Sequence, residues 1–397
     1  MEYGRLVSKF ADLYGGGSVR LFIGPARINL IGEHIDYNGG AVFPAAIDLR
    51  SACAVRPRGD NKLRLASTSW LDKVEADLHS LSDKNRIPWG SYQLGVIHLM
   101  LEAGYDIPGM DMLFDETVPH GGGLSASAAI ELATAAACAA FSHERSGTGV
   151  DMIELAKIGR RVENEYIGMN CGIMDQFASA MGKKDHAMLL NCATLDFSYA
   201  PVDFTAHGVT PVIMNTCKPH NLVVSAYNTR LSECRESLSD LQRVMDIHEL
   251  CELTPDAFHE AENAITRKVC RDRARHAVYE NRRTHAAFDA LTTGDIPRFS
   301  RLLIESHESL KNLYEVTGPE LDSIVYAALA QPSCTGARMM GGGFGGCAIA
   351  LVKAGSEEAF TAATSERYKR ETGLTPAFYN VCISDGAREL LFFEKEK

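Results

Sequence analysis

The hydrophobic pattern changes period several times along this 397-residue chain, and each change marks an element. Residues 1–18 read as a short helix closed by Gly15, Gly16 and Gly17, and residues 19–23 alternate loosely, as a strand does. Residues 24–50 hold Pro25, Gly32, an Asn38-Gly39-Gly40 turn and Pro44, so a loop-rich strand region is expected there. Residues 51–55 and 63–67 predict strands joined by a polar turn, and residues 89–103 an amphipathic helix. An apolar run over 112–118 leads through Pro119 and three glycines into an alanine-rich helix that ends near 141. A long helix over 151–166 and a strand over 187–191 complete the first half. The second half begins with a strand at 212–215. A helix over 225–245 follows, with Leu231, Cys234, Leu238, Leu241 and Met245 as its packing stripe. Further helices are expected at 256–265, 268–291, 296–312 and 319–330, then a glycine cluster before an apolar strand at 347–352.

Strands and helices mix in both halves without regular alternation, and no repeat emerges, which predicts an α+β fold. The length suits two domains. Pro201 and Pro211 fall where the chain crosses over, which puts the boundary near 200 and the domains at 1–200 and 201–397.

The stretch from Val118 through the glycines to the alanine helix carries the first chemical signal. Glycine lets backbone approach an anion, and the free N–H groups of a helix start attract phosphate. Ser125 and Ser127 can cap the helix or reach a metal on the phosphate. The loop is neither a Walker A sequence nor a dinucleotide fingerprint, and a plain glycine turn into a packed helix is the alternative.

Composition adds limits. The net charge of −11 argues against a nucleic-acid surface but not against a nucleotide. Eleven cysteines with no metal spacing suggest free thiols in a reducing cytosol. The first residues lack the apolar core of a secretion signal, and the longest apolar run is too short and small-sided to span a bilayer, so no membrane partner is expected.

Other residues could do chemistry. Residues 27–36, RINLIGEHID, gather Arg27, Glu33, His34 and Asp36. Carboxylates hold sugar hydroxyls well, and an arginine can neutralise a transferring phosphate; an ordinary surface ion pair is the alternative. Glu163 shares a helix face with Met152, Ala156 and Gly159, where it would bind a metal or reach solvent at an edge. Asp175 could take or orient a hydroxyl proton, or simply cap a helix. The cluster 341–346 could lie against a ligand or form a tight bend. The seven Lys/Arg of residues 267–283 read as a solvated helix face.

Together these segments resemble the galactokinase family of the GHMP kinase superfamily. RINLIGEHIDYNGG at Arg27–Gly40 looks like the family signature, and residues 119–129 are similar to the superfamily phosphate loop. CGIMDQFASAMG, SAYNTRLSECRE, VTGPELDSIV and GARMMGGGFGGC resemble the remaining motifs, in the family's order. The resemblance implies a two-domain GHMP-kinase-like fold with its active site in the interdomain cleft. It implies ATP with Mg2+ as donor and galactose as acceptor, phosphorylated on the anomeric C1 hydroxyl. Asp175 and Arg27 would be catalytic. Glu33, His34, Asp36, the Gly172 backbone and Tyr227 would hold the sugar. Gly121, Gly122, Gly123, Leu124, Ser125 and Ser127 would hold ATP, with Trp89 beside the adenine. Ser127 with Glu163 would hold magnesium, Ser125 being the alternative serine. A cytoplasmic monomer is expected.

Departures from the family pattern fall at GPAR (24–27), Ile35, Ala126, Leu231 and Met340. They leave open a related sugar 1-kinase, for arabinose or N-acetylgalactosamine, and a non-catalytic sugar and nucleotide sensor.

Overall fold

The computed structural model describes residues 2–81, 88–119, 122–169, 171–218 and 223–390. In chain order the first half holds α1 (Glu2–Tyr14), β1 (Arg20–Asn29), β2 (Ala41–Val42), β3 (Pro44–Pro57), β4 (Lys62–Ser67) and β5 (Val74–Asp77). Then come α2 (Ser91–Glu102), β6 (Met110–Glu116), α3 (Ala126–Ser146), α4 (Met152–Arg161), α5 (Met174–Met181), β7 (His186–Asn191) and β8 (Phe197–Pro201). The second half runs β9 (Val209–Asn215), α6 (Val223–Leu241), α7 (Pro255–Ala261), α8 (Lys268–Thr292), α9 (Ile296–Ser309) and α10 (Gly318–Leu329). It closes with β10 (Cys334–Met339), β11 (Cys347–Lys353), α11 (Glu357–Thr372), β12 (Ala377–Asn380) and β13 (Arg388–Leu390).

The strands form a six-stranded sheet in the order β13-β1-β3-β6-β4-β5, a four-stranded sheet β10-β11-β9-β12 and a three-stranded sheet β2-β7-β8. Among the described residues only β4 against β6 is parallel. The mixture is the α+β class expected.

The region 24–50, expected as loop-rich strand, is mostly strand: it supplies most of β1 and half of β3, which pair from Arg20↔Val55 to Asn29↔Pro44. Pro25 is accommodated because the register shifts between Pro25 and Arg27, where a missing N–H does not interrupt the ladder. Successive side chains face opposite layers. Leu21, Ile23, Ala52 and Ala54 pack with α1, while Phe22, Cys53 and Val55 join the main core. With both faces covered the strand has no polar face, so alternation fails as a signal.

Helix α3 lies across β1 and β3. Its alanines allow a close approach, and Gly24 completes it: a Cβ there would fall 2.0 Å from the Ala129 carbonyl oxygen. The close seat fixes where the helix begins, and therefore where the glycine loop lies relative to Arg27.

Two expectations change. The helix through 166 ends at Arg161, and Val162–Ile167 continues as a π-helical segment that carries Glu163. The basic stretch on α8 is not simply a solvated face. Arg273 is buried and donates to Glu233 Oε2 at 2.8 Å, Glu315 Oε2 at 2.6 Å and the Leu313 carbonyl. No helix among the described residues is long and apolar enough to cross a membrane.

Candidate active site

Five separate stretches line a cavity of about 510 Å³: Arg27 with Glu33, His34 and Asp36; Pro119 and Gly122–Ser127; Glu163 with Gly172 and Asp175; Tyr227 and Asn228; and Gly341 and Gly342. The irregularity in β1 turns Arg27 toward it, and each of the three guanidinium nitrogens donates a hydrogen bond. Nε and Nη2 form a fork on Asp175, at 2.9 Å to Oδ1 and 3.1 Å to Oδ2, while Nη1 donates to the Gly123 carbonyl at 2.8 Å. One buried arginine thus ties the acid to the glycine loop, in the bidentate geometry that makes such pairs strong.

Asp175 stands in the first turn of α5, one residue past its start, and does not act as its N-cap. The capping expectation for Ser125 also fails. Ser125 precedes α3 in a left-handed conformation, makes no cap bond and donates its hydroxyl to Asp175 Oδ2. Ser127, inside the first turn, reaches Glu163 instead. Burial pushes the Glu163 carboxyl up, against the opposing hydrogen bonds from Cys171 and Ser127.

The opposite wall is built on the turn after β1. Glu33 is almost wholly buried and fully engaged. Its Oε1 meets Arg338 Nη2 at 3.0 Å and the Gly341 N–H at 2.8 Å, and its Oε2 accepts from Asn29 at 2.9 Å. His34, at φ 63°, is held at both ring nitrogens, Nδ1 to Tyr37 at 2.7 Å and Nε2 to the Gly342 carbonyl at 3.2 Å. Burial and the neighbouring His276 push it down to about 3, so it is neutral at working pH. Asp36 faces Gly172, where a Cβ would lie 2.0 Å from its Oδ2. Its carboxyl is pushed up to about 6 by burial and by the nearby charges of Asp175 and Glu33. Tyr227 packs its ring tilted against His34 and edge-on to Tyr37, at 5.6 and 5.5 Å between centroids.

The cavity therefore gathers Arg27, Glu33, His34, Asp36, Gly122, Gly123, Leu124, Ser125, Ser127, Glu163, Gly172, Asp175 and Tyr227. Gly121 lies outside the described residues. Trp89 is not among the described residues that line the cavity; it sits half-buried on the turn before α2, its indole N–H without a hydrogen-bond partner among the described residues. The sequence reading missed the supports behind the wall. Arg338 holds the Asn29 and Leu30 carbonyls at 3.1 and 2.8 Å as well as Glu33. From α8, His276 meets the Glu33 carbonyl at 3.1 Å and Glu280 accepts from the Gly32 N–H at 3.2 Å. The open question about the glycine cluster resolves toward the cavity, since Gly341 and Gly342 line it.

Such a site can hold a polyanion at one end and a hydroxyl-rich acceptor at the other, with a positive charge between them. That is the requirement of phosphoryl transfer. Family models agree: residues 91–183 match the GHMP kinases N terminal domain and residues 287–370 the GHMP kinases C terminal domain. The mevalonate kinase of Methanococcus jannaschii shares the fold at 19% identity, with a TM-score of 0.67 over 93% of this chain and 99% of that one. Fold and site define a kinase of the GHMP class.

Closer matches narrow the class. Residues 8–57 match the galactokinase galactose-binding signature. A galactokinase of Clostridium tetani is 44% identical over 390 residues, 98% of each chain. That of Bacillus subtilis is 42% identical over 96% of this chain and 97% of its own. The crystal structure of Lactococcus lactis galactokinase complexed with galactose superposes with a TM-score of 0.92 at 41% identity, covering 98% of this chain and 100% of that one. The chain belongs to the galactokinase family.

Proposed function

We propose that this protein transfers the terminal phosphoryl group of ATP to the anomeric hydroxyl of D-galactose, giving α-D-galactose 1-phosphate and ADP. The observation that carries the reading is the Arg27 guanidinium, which forks onto Asp175 and holds the Gly123 carbonyl of the glycine loop in one cavity wall. The C1 oxygen bonds to the γ-phosphorus, the bond to the ADP oxygen breaks, and the hydroxyl proton passes to Asp175. Glu33, His34, Asp36, Gly172 and Tyr227 form the sugar side. His34, with both nitrogens engaged, serves that side as a fixed wall. Gly121–Ser127 form the donor side, and Trp89 is assigned to the adenine on the family resemblance alone. A galactose turnover in a coupled ADP-release assay that exceeds arabinose, N-acetylgalactosamine and glucose is the expected result. Turnover of another sugar in preference to galactose, or none of any, would overturn the assignment.

A magnesium ion fits the residues present. Glu163 is buried with its carboxyl pushed up, as a carboxylate awaiting a cation would be. Ser127 and Glu163 would hold the ion, which supplies charge neutralisation on the donor phosphates. Among the described residues no three acidic, His or Cys side chains converge as a metal cage. The remaining ligands would then come from phosphate and water, as is usual for magnesium. The same reading divides the chain into domains 1–200 and 201–397, with β13 returned to the first sheet. It takes the protein as a cytoplasmic monomer, in keeping with eleven free thiols.

Asp36 gives a pH prediction. Its carboxyl is pushed up to about 6 from 3.8, so it loses its charge as pH falls through about 6. Galactose affinity, measured by calorimetry, is expected to weaken by about 3- to 10-fold across that window, as charge-assisted hydrogen bonds are lost. Stability moves the other way. The folded state holds this proton more tightly than the unfolded chain, so the group's contribution to stability falls as pH rises from about 4 to about 6. A flat affinity across this window would remove Asp36 from the sugar side.

A further inference from the structure

Ser125 does something the donor-side assignment does not explain. It occupies φ 61°, ψ 49°, a left-handed conformation that costs a residue with a side chain and that persists only where its surroundings impose it. A serine at a helix start ordinarily repays its position by capping, and Ser125 makes no cap bond. Its hydroxyl carries a single hydrogen, and that hydrogen goes to Asp175 Oδ2. The same oxygen also accepts from Arg27 Nη2 at 3.1 Å, whereas among the described residues Oδ1 accepts only from Arg27 Nε at 2.9 Å. Two residues on, Ser127 serves a different carboxylate, the buried Glu163.

We propose that Ser125 is a positioning residue for Asp175, filling Oδ2 so that Oδ1 is the oxygen left to accept the acceptor hydroxyl, and that its hydroxyl is not a donor to the ATP phosphates. The strained turn at the start of α3 thus reaches across the site to the acceptor side. The two serines divide the labour: Ser125 orients the acid, and Ser127 faces the metal carboxylate. The inference rests on the reading of Asp175 as the acid that receives the hydroxyl proton.

The test uses Ser125→Gly, Ser125→Ala and Asp175→Asn in the full chain, with steady-state kinetics for galactose and Mg-ATP and thermal unfolding. Glycine accepts the left-handed backbone, so Ser125→Gly is expected to melt no lower than the parent, while Ser125→Ala melts lower. Both are expected to lose about 10- to 100-fold in kcat, with the KM for ATP held within about 2-fold. In an Asp175→Asn background the Ser125→Gly substitution should change kcat by less than about 2-fold, because the two residues act as one unit. A rise in the KM for ATP with kcat preserved would assign Ser125 to phosphate and overturn the proposal. So would a full Ser125→Gly loss that persists in the Asp175→Asn background. If Asp175→Asn alone keeps parental turnover, the reading of Asp175 itself fails. If Asp175→Asn collapses and Ser125→Gly does not slow the enzyme, only the role of Ser125 fails.

Discussion

Asp175→Asn is expected to fold like the parent and to lose about 10²- to 10⁴-fold in kcat, with the KM for ATP changed only slightly. The amide has the shape of the carboxylate and keeps one oxygen for the Arg27 fork, so the geometry of the glycine loop should survive. What disappears is the anion proposed to take the hydroxyl proton. The stability cost should be modest, about 1 kcal/mol, because the Asp175 side chain is 32% exposed and its pairing with Arg27 is partly screened. The substitution also has a signature beyond lost turnover. Asp175 is one of the charges that push the Asp36 carboxyl up, so its neutralisation should move the pH limb of galactose binding below about 6. Lost turnover with an unmoved binding limb would mean that the two carboxylates are electrostatically independent. Retained turnover would take the acid role away from Asp175.

The residues that line the cavity were legible in the sequence because each lies in a short motif whose residues act locally. The glycine loop, the start of α3 and the RINLIGEHID turn needed no distant partner to be noticed. What failed was legibility across layers. β1 past Ile23 and the first half of β3 were legible only as a loop-rich strand region without bounds, because both faces are buried and Pro25 sits in the strand, so alternation fails. β13 is three residues long and pairs Leu390 with Leu21 from the far end of the chain, which no local pattern encodes. α11 is a different case. Phe360, Thr364 and Tyr368 are its buried stripe at four-residue spacing, a signal that was present but diluted by a threonine and a charged surround. Ser125 shows the limit of motif reading most clearly. A serine at a helix start suggests a cap or a phosphate ligand, and the left-handed backbone that sends it to Asp175 is invisible in the sequence.

Arg338→Met is expected to cost about 3–5 kcal/mol of stability, since removing one member of a buried ion pair strands the other. Arg338 lies on β10 between Ala337 and Met339, with no solvent exposure, and its partners are some 308 residues earlier in the chain. Methionine fills much of the volume but leaves the Asn29 and Leu30 carbonyls without their donor and Glu33 Oε1 with only the Gly341 N–H. Glu33 must then move or take up a proton, and either change reaches the sugar wall. The galactose KM should therefore rise by about 10-fold or more, an effect of one or two lost hydrogen bonds, while the KM for ATP stays near the parent value. The asymmetry follows from position, because the hydrogen-bond and ion-pair partners of Arg338 among the described residues, Asn29, Leu30 and Glu33, all belong to the end of β1 and the turn after it. Adding Glu33→Gln to Arg338→Met removes the stranded charge, and the double variant should recover about 1–2 kcal/mol in denaturant unfolding without recovering galactose affinity. That split separates the two roles of the pair. Stability depends on neutralising a buried carboxylate, whereas sugar binding depends on where Arg338 holds that carboxylate. Recovery of galactose affinity in the double variant would show that charge alone, and not placement, is what Arg338 contributes.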